Sequence, residues 1–387
     1  MQLTKRVNKI KPSATIKIGD KVKDLKSKGI KIINLSTGEP NLPTPNIVKN
    51  AAIKAIKNNE TYYSQSRGIP ELRELICGGI NKEFGCRLEA DRNILITPGG
   101  KQAILYAILA VVEEGDEVLI PTPAWVSYFE MVSIAGGKAI QVDCNEKRGF
   151  ELSLKKIKSA SNKRTKLIIL NSPNNPTGKI ISRKALAEIN KFCIDNNIIL
   201  LCDEIYDKIV FGHRKFPSLM SVNPKLNNTI LINGFSKTYA MTGWRLGYAI
   251  SNPELIDAML KFQQHSITCP TTFAQFGAIE ALKKGYGFIK KAMSFYSENN
   301  KVLVREFKRL KNFTLIEPEG GLYGFINISK VNKDSGNFCL ELIDKCKVAA
   351  VPGAEFGDGG EGYIRICIAT EKKNIIEFVK RLKEVYE

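Results

Sequence analysis

A lysine, two hydroxyl residues and an arginine lie close together in the stretch 229–250, T-I-L-I-N-G-F-S-K-T-Y-A-M-T-G-W-R-L-G-Y-A-I. Lys237 follows a short apolar run and stands between Ser236 and Thr238, with Arg245 further along. A lysine in a packed site loses its proton readily and forms a Schiff base with a carbonyl. A hydroxyl and a planar guanidinium suit a phosphate. Pyridoxal phosphate (PLP) carries both an aldehyde and a phosphate, although a loop lysine and a solvated arginine would also explain this pattern.

Two further candidate groups lie in the segments that follow apolar runs that we predict to be strands. Gly100 and Lys101 follow the run 93–97, where glycines at the start of a helix let backbone N–H groups bind an anion. A simple tight turn is the alternative interpretation. Trp125 follows the run 117–120 and could stack on a flat ring, or it could lie in the core or at an interface.

Polar residues also follow the next two predicted strands. N-S-P-N-N-P-T-G, which contains Asn175, comes after the run 166–170, and D-E-I-Y, from Asp203 to Tyr206, comes after the run 198–202. A carboxylate at the end of a buried strand needs a partner, because its unpaired burial is costly. A protonated pyridine nitrogen is one such partner, and a structural arginine or a helix N-terminus is another.

The elements that must position these groups alternate between short apolar strands and amphipathic helices from about residue 93 onward. This order predicts an α/β fold with a parallel or mixed sheet covered by helices on both faces. Ligands of such sheets bind at the carboxyl ends of the strands. We predict that Thr44 caps a helix that begins at Pro45. After about residue 281 the pattern changes to longer helices and polar-edged strands (314–316, 322–328, 363–367), which predicts a second, smaller α+β domain.

Composition narrows the function. The 387 residues are 43% hydrophobic and 25% charged, and no apolar stretch reaches the roughly 20 residues that span a bilayer. Without a secretory pattern at the start, we expect a cytoplasmic protein. Nine scattered cysteines and two histidines argue against disulfides and a metal site. The net charge of +19 comes from dispersed lysines, so we expect neither nucleic acid nor a membrane as partner.

The sequence resembles the class I aminotransferases of PLP fold type I, in the branch that holds bacterial aspartate and glutamate–prephenate aminotransferases. N-S-P-N-N-P-T-G, D-E-I-Y and S-K-T-Y-A-M-T-G-W-R-L-G-Y carry the resemblance, which extends from K-P-S-A-T at 11–15 to Y-I-R-I-C-I-A-T at 363–370. It implies a large domain with a mostly parallel seven-stranded sheet between helices, plus a smaller α+β domain. The implied boundaries are 1–45 for an N-terminal arm that joins the small domain, 46–281 for the large PLP-binding domain and 282–387 for the small C-terminal domain.

The resemblance implies a role for each matching residue in binding the cofactor. Lys237 would be the Schiff-base lysine and the proton shuttle, and Asp203 would pair with the pyridine nitrogen. Tyr206 and Asn175 would hydrogen-bond the phenolic oxygen of the ring, on which Trp125 would stack. The phosphate would be bound by Gly100, Lys101, Ser236, Arg245 and, from the neighbouring subunit of a homodimer with shared active sites, Tyr63.

The resemblance also implies a substrate site. Arg365 and Gly38 would bind the α-carboxylate of an amino acid, beside Trp125 and Asn175. Lys101, with Ser13 and Thr15, would bind a distal carboxylate, which predicts transfer of the amino group of aspartate to a 2-oxo acid such as 2-oxoglutarate by a ping-pong mechanism.

Several alternatives stay open. Lys101 could be only the first residue of a solvated helix. Leu42, Ala124 and Leu322 depart from the family pattern and could line a pocket for aromatic or prephenate-type substrates. The same fold could also carry out an elimination or synthase reaction. A non-catalytic binding protein would be expected to lack Lys237 or Asp203, and both are present.

Overall fold

The computed structural model describes residues 4, 7–8, 10, 14–144, 149–212 and 215–387. Its strands, in chain order, are β1 Ile33–Asn34, β2 Ile94–Thr97, β3 Glu117–Thr122, β4 Lys138–Asp143, β5 Thr165–Asn171, β6 Ile199–Asp203, β7 Thr229–Gly234, β8 Gly247–Ser251, β9 Thr314–Ile316, β10 Tyr323–Asn327, β11 Val348–Ala349, β12 Val351–Pro352 and β13 Tyr363–Cys367. Its helices are Ala14–Ser27, Asn46–Lys57, Pro70–Phe84, Ala90–Asn93, Gly100–Val111, Ser127–Ala135, Leu154–Ala160, Arg183–Asp195, Pro253–Ser266, Thr272–Lys284, Tyr286–Phe307, Ser335–Cys346 and Lys372–Tyr386.

A seven-stranded sheet brings the candidate residues together. Its strand order is β2-β8-β7-β6-β5-β3-β4, and β8 alone runs antiparallel to its neighbours in this sheet. The carboxyl ends of β2, β3, β5, β6 and β7 therefore meet at one edge. This arrangement confirms the predicted α/β fold with a mostly parallel sheet.

Both faces of this sheet are buried, as the continuous apolar strands predict. Successive strand residues enter different core clusters: Leu119 packs with the helices Pro70–Phe84 and Arg183–Asp195, whereas Ile120 packs with the helices Gly100–Val111 and Pro253–Ser266. Alternation of side chains across a strand explains this division. The sheet is thus a rigid layer between two helical layers.

A four-stranded antiparallel sheet of order β12-β13-β10-β9 forms a second, smaller unit. It packs with the helices Tyr286–Phe307, Ser335–Cys346 and Lys372–Tyr386 around another apolar core. The smaller α+β part that the sequence predicts is therefore present. The exact domain boundaries, after residues 45 and 281, stay a prediction.

The predicted helix cap at Thr44 is wrong. The helix begins at Asn46, its cap residue is Pro45, and no side-chain hydrogen bond caps it. The Thr44 hydroxyl instead donates to the carbonyl oxygen of Ala240 and accepts a 3.1 Å hydrogen bond from the Trp244 indole. The prediction was wrong because a long-range contact competes with the local cap.

Among the residues that the structure describes, no helix is long and apolar enough to cross a membrane. In the same ranges, no group of three or more His, Cys, Asp or Glu side chains could hold a metal ion.

Candidate active site

A cavity of about 530 Å³ opens at the carboxyl ends of β3, β5, β6 and β7. A neighbouring cavity of about 640 Å³ contains none of the site residues predicted from the sequence, so we take the smaller one as the candidate active site. Its lining includes Gly38, Gly100, Lys101, Trp125, Tyr128, Asn175, Asp203, Tyr206, Ser236, Lys237, Arg245, Tyr323 and Arg365.

Lys237 lies just beyond the end of β7, and its Nζ donates a hydrogen bond to the carbonyl oxygen of Gly38. Burial lowers the pKa of this amine to about 8, because the charged form loses hydration. Arg365 and Arg245 lower this pKa further, while Cys367 opposes them. A larger fraction of this amine than of an ordinary lysine is therefore in the neutral, nucleophilic form near neutral pH.

Asp203 is the last residue of β6 and is buried beneath the cavity. Its Oδ2 accepts a 2.7 Å hydrogen bond from the Tyr128 hydroxyl, and its Oδ1 accepts a 3.1 Å bond from the Ile205 backbone N–H. Burial raises the pKa of this carboxyl to about 6, and these donors and Lys237 lower it. Within the described ranges Asp203 forms no salt bridge. A cationic ring nitrogen in the cavity would supply that partner.

The turn between β2 and the helix Gly100–Val111 forms an anion cradle. Gly99 has φ of 86°, which favours glycine, and a Cβ there would lie 2.7 Å from a guanidinium nitrogen of Arg245. A Cβ at Gly247 would collide with the backbone nitrogen of Gly100. The helix N-terminus, Arg245 and the nearby Ser236 hydroxyl together fit a phosphate.

Lys101 is exposed, yet its amine is directed toward the cavity rather than away from it. Its Nζ lies 4.8 Å from the centroid of the Trp125 ring. Partial burial, with the nearby charge of Arg245, lowers the pKa of Lys101. The geometry therefore favours a role in the cavity over that of a merely solvated helix residue.

Arg365 extends from β13 into the cavity and bridges the two sheets. It donates a 3.1 Å hydrogen bond to Asn175 Oδ1 and a 2.7 Å bond to the carbonyl oxygen of Ser36. Its guanidinium carbon lies 4.4 Å from the centroid of the Tyr323 ring. Its buried Nε has no hydrogen-bond partner among the described residues. A carboxylate can accept from this unpaired N–H group and balance the charge.

Two tyrosines of the cavity were missed by the sequence analysis. The Tyr323 hydroxyl is 2.9 Å from that of Tyr206, and Tyr128 binds Asp203. Tyr128 had a local signal in the sequence, because it follows Trp125 by only three residues; in the structure its backbone N–H donates a 3.1 Å hydrogen bond to the Trp125 carbonyl oxygen. Tyr323 had no comparable signal.

One predicted residue lies outside this cavity, and two others cannot be placed relative to it. Tyr63 is 83% exposed and does not line it. Ser13 and the side chain of Thr15 lie outside what the structure describes. Their roles stay predictions.

The fold and the convergence of a lysine, a buried carboxyl and an arginine at the sheet edge are those of an aminotransferase. The chain belongs to the aminotransferase class I and II family, whose model matches residues 30–382. The resemblance stated from the sequence is thereby confirmed.

Individual relatives match along the full chain. A probable aspartate/prephenate aminotransferase of Aquifex aeolicus is 37% identical, with 100% of this chain and 98% of that protein covered. Aromatic-amino-acid aminotransferase 2 of Thermococcus litoralis is 35% identical, with the same coverage of both. The solved structure of Thermus thermophilus aspartate aminotransferase with maleate has a TM-score of 0.94, 34% identity and 100% coverage of both chains.

Proposed function

We propose that this aminotransferase uses PLP to move the amino group of an L-amino acid, with aspartate as the preferred donor, to a 2-oxo acid such as 2-oxoglutarate by a ping-pong mechanism. The observation that carries this proposal is the convergence of Lys237, Asp203 and Arg365 on one cavity. Each of the three suits one group of the cofactor or the substrate: the amine suits the aldehyde, the carboxylate suits the ring nitrogen, and the guanidinium suits the substrate carboxylate.

The residues present fit the cofactor. The glycine cradle with Arg245 fits its phosphate, and the buried Asp203 lacks a cationic partner in the described ranges. Tyr206 and Asn175, which line the cavity, would bind its phenolic oxygen, and Trp125, which also lines it, would stack on its ring. When bound, PLP would supply the electron sink for the charge that develops at the substrate Cα.

The protein residues then have separate tasks. Arg365 orients the substrate by its α-carboxylate, which sets the Cα–H bond that faces the base. Lys237 removes that proton and later returns it, since an amine with a pKa near 8 can do both close to neutral pH. Asp203, as an anion, keeps the ring nitrogen protonated.

The position of Lys101 supports the proposal of a dicarboxylic substrate. Its amine lies over Trp125 within the cavity that Arg365 also lines, so one substrate could reach both cations. The Thermus relative was solved with maleate, a dicarboxylic acid. Aromatic substrates are the second candidate because one relative is named for them. Leu42, Ala124 and Leu322 do not support it, since none of these described residues lines the cavity.

A homodimer with shared sites is part of the proposal. Tyr62 and Tyr63 are 80% and 83% exposed, and the helix Asn46–Lys57 presents the exposed side chains of Ile53 and Ile56. Large exposed apolar side chains in one short stretch of the chain are consistent with an interface. Light scattering after size exclusion would test this; a monomer at micromolar concentration would contradict it. In a dimer, Tyr63→Phe should weaken PLP binding.

An absorbance spectrum tests the function. The protein with PLP should show a visible band that Lys237→Ala abolishes. Aspartate should bleach the band of the native protein and release oxaloacetate.

The variant Lys101→Met tests the preferred substrate. It should raise KM for aspartate about tenfold, which is roughly the loss of one charge-assisted hydrogen bond, without raising KM for phenylalanine. A band that phenylalanine alone bleaches would make the enzyme an aromatic aminotransferase. Ammonia or thiol release would indicate a lyase, and no band would refute the proposal.

A further inference from the structure

Tyr128 is a buried tyrosine that contacts two residues of the candidate active site. Its side chain is 1% exposed, and its hydroxyl donates the 2.7 Å hydrogen bond to Asp203 Oδ2. Its ring packs edge-on against Trp125 with centroids 5.3 Å apart. Tyr128 thus contacts both Asp203, the proposed partner of the ring nitrogen, and Trp125, the proposed stacking residue.

The surroundings of Asp203 show what this hydrogen bond does. The titratable groups near the carboxyl are Tyr128, Lys237, Tyr206 on the following turn and Cys202 on its own strand. Of these, only Lys237 carries positive charge, and it is the group that would be consumed by the cofactor aldehyde. The anionic form of Asp203 then depends on the donors Tyr128 O–H and Ile205 N–H.

We propose that Tyr128 is a positioning residue for Asp203, which orients the carboxylate toward the ring nitrogen of PLP and keeps it ionised. This inference rests on the proposed function. The Ile205 N–H holds one carboxylate oxygen from the backbone, and the Tyr128 hydroxyl holds the other from a different element of the fold. Two donors on different oxygens stop the carboxylate from rotating, so the remaining lone pairs keep one direction.

The variant Tyr128→Phe removes the donor and keeps the ring that packs on Trp125. Tyr106→Phe is a matched control: Tyr106 is also 1% exposed, lies in the same core cluster and bonds through its hydroxyl to Ser266, away from the cavity. Replacing Tyr128 with 3-fluorotyrosine, a stronger hydrogen-bond donor, should shift the pKa of Asp203 in the direction opposite to the shift in Tyr128→Phe.

Two spectroscopic readouts test the inference. In the protein without cofactor, ¹³C NMR of the Asp203 carboxyl should titrate about one pH unit higher in Tyr128→Phe, and lower with 3-fluorotyrosine, since one charge-assisted hydrogen bond corresponds to about a tenfold change. With ¹⁵N-labelled PLP bound, the ring nitrogen should be protonated in the native protein and less so in Tyr128→Phe near neutral pH. PLP affinity of that variant should fall about tenfold and recover as pH rises.

The outcomes separate the inference from the proposed function. A Tyr128→Phe variant that matches Tyr106→Phe in both NMR signals would overturn the role of Tyr128 even if transamination proceeds. A shifted Asp203 titration in a protein that binds no PLP would refute the proposed function, and with it the role toward the ring nitrogen. The ordered series Phe, Tyr, 3-fluorotyrosine would support the inference, because a merely structural defect produces no such order.

Discussion

Replacing Lys237 by methionine should make the cofactor-free protein more stable. The amine has a pKa of about 8 in the folded chain, whereas an unfolded lysine titrates near 10.4. Between these two values the unfolded state binds more protons, so stability rises with pH across that window. The unfavourable contribution of Lys237 is therefore complete below about pH 8 and absent above about pH 10.4.

The size of the effect follows from the shift. A difference of roughly 2.5 pKa units corresponds to about 3 kcal/mol at 1.36 kcal/mol per unit. Methionine also loses the hydrogen bond to the Gly38 carbonyl oxygen, worth about 1 kcal/mol. We expect Lys237→Met to raise the free energy of unfolding by about 2 kcal/mol at pH 7.

Urea denaturation of the cofactor-free protein at pH 7 and pH 10.5, at one protein concentration, measures this difference. The control is Lys191→Met, which replaces a 76% exposed lysine paired with Asp195 on a helix surface and should change stability little at either pH. The reasoning is refuted if Lys237→Met is no more stable than the native protein at pH 7, or if its advantage is the same at both pH values.

Two further perturbations test other parts of the site. In Gly38→Ala, the new Cβ collides with the Tyr323 hydroxyl, so KM for the amino acid should rise at least about tenfold while PLP affinity stays nearly constant; equal losses of both would contradict this local reading. Glu204 is buried, accepts hydrogen bonds from Ser218 and the Leu219 N–H, and has its pKa raised by burial to about 8. The native protein should therefore lose stability as pH rises from about 4.3 to 8, and urea titrations of Glu204→Gln should show a smaller slope across that range.

The positions of the main site residues were predictable because the topology of the sheet determines where the ends of its strands lie. Asn175, Asp203 and Lys237 follow different apolar runs, and parallel strands place the residues that follow them at one edge. No contact had to be known in advance. The same reasoning predicted a glycine turn before the helix Gly100–Val111. In the structure, Gly99 has the positive φ that such a turn requires.

Contacts between distant segments were not predictable in this way. Arg365 came from the family resemblance alone, and its bond to Asn175 joins residues 190 positions apart. The Thr44 hydroxyl binds a carbonyl 196 positions away in place of its local cap. Tyr323 meets Tyr206 only because the smaller sheet docks against the larger one. Such partners depend on the packing of whole units, which periodicity and spacing do not describe.

The charges of the cavity explain why this site is costly to build and suited to its substrates. Lys101 and Lys237 each have a pKa lowered first by burial and further by the positive charge of Arg245. Arg365 adds a fourth cation with a buried, unpaired N–H in the described structure. The positive charges of these groups repel one another, and the nearby arginines contribute to the lowered pKa of Lys237. In the proposed function, a phosphate at the glycine cradle and a carboxylate at Arg365 would relieve that repulsion. Free energy lost in folding would thereby be recovered as affinity for the proposed phosphate-bearing cofactor and an acidic substrate.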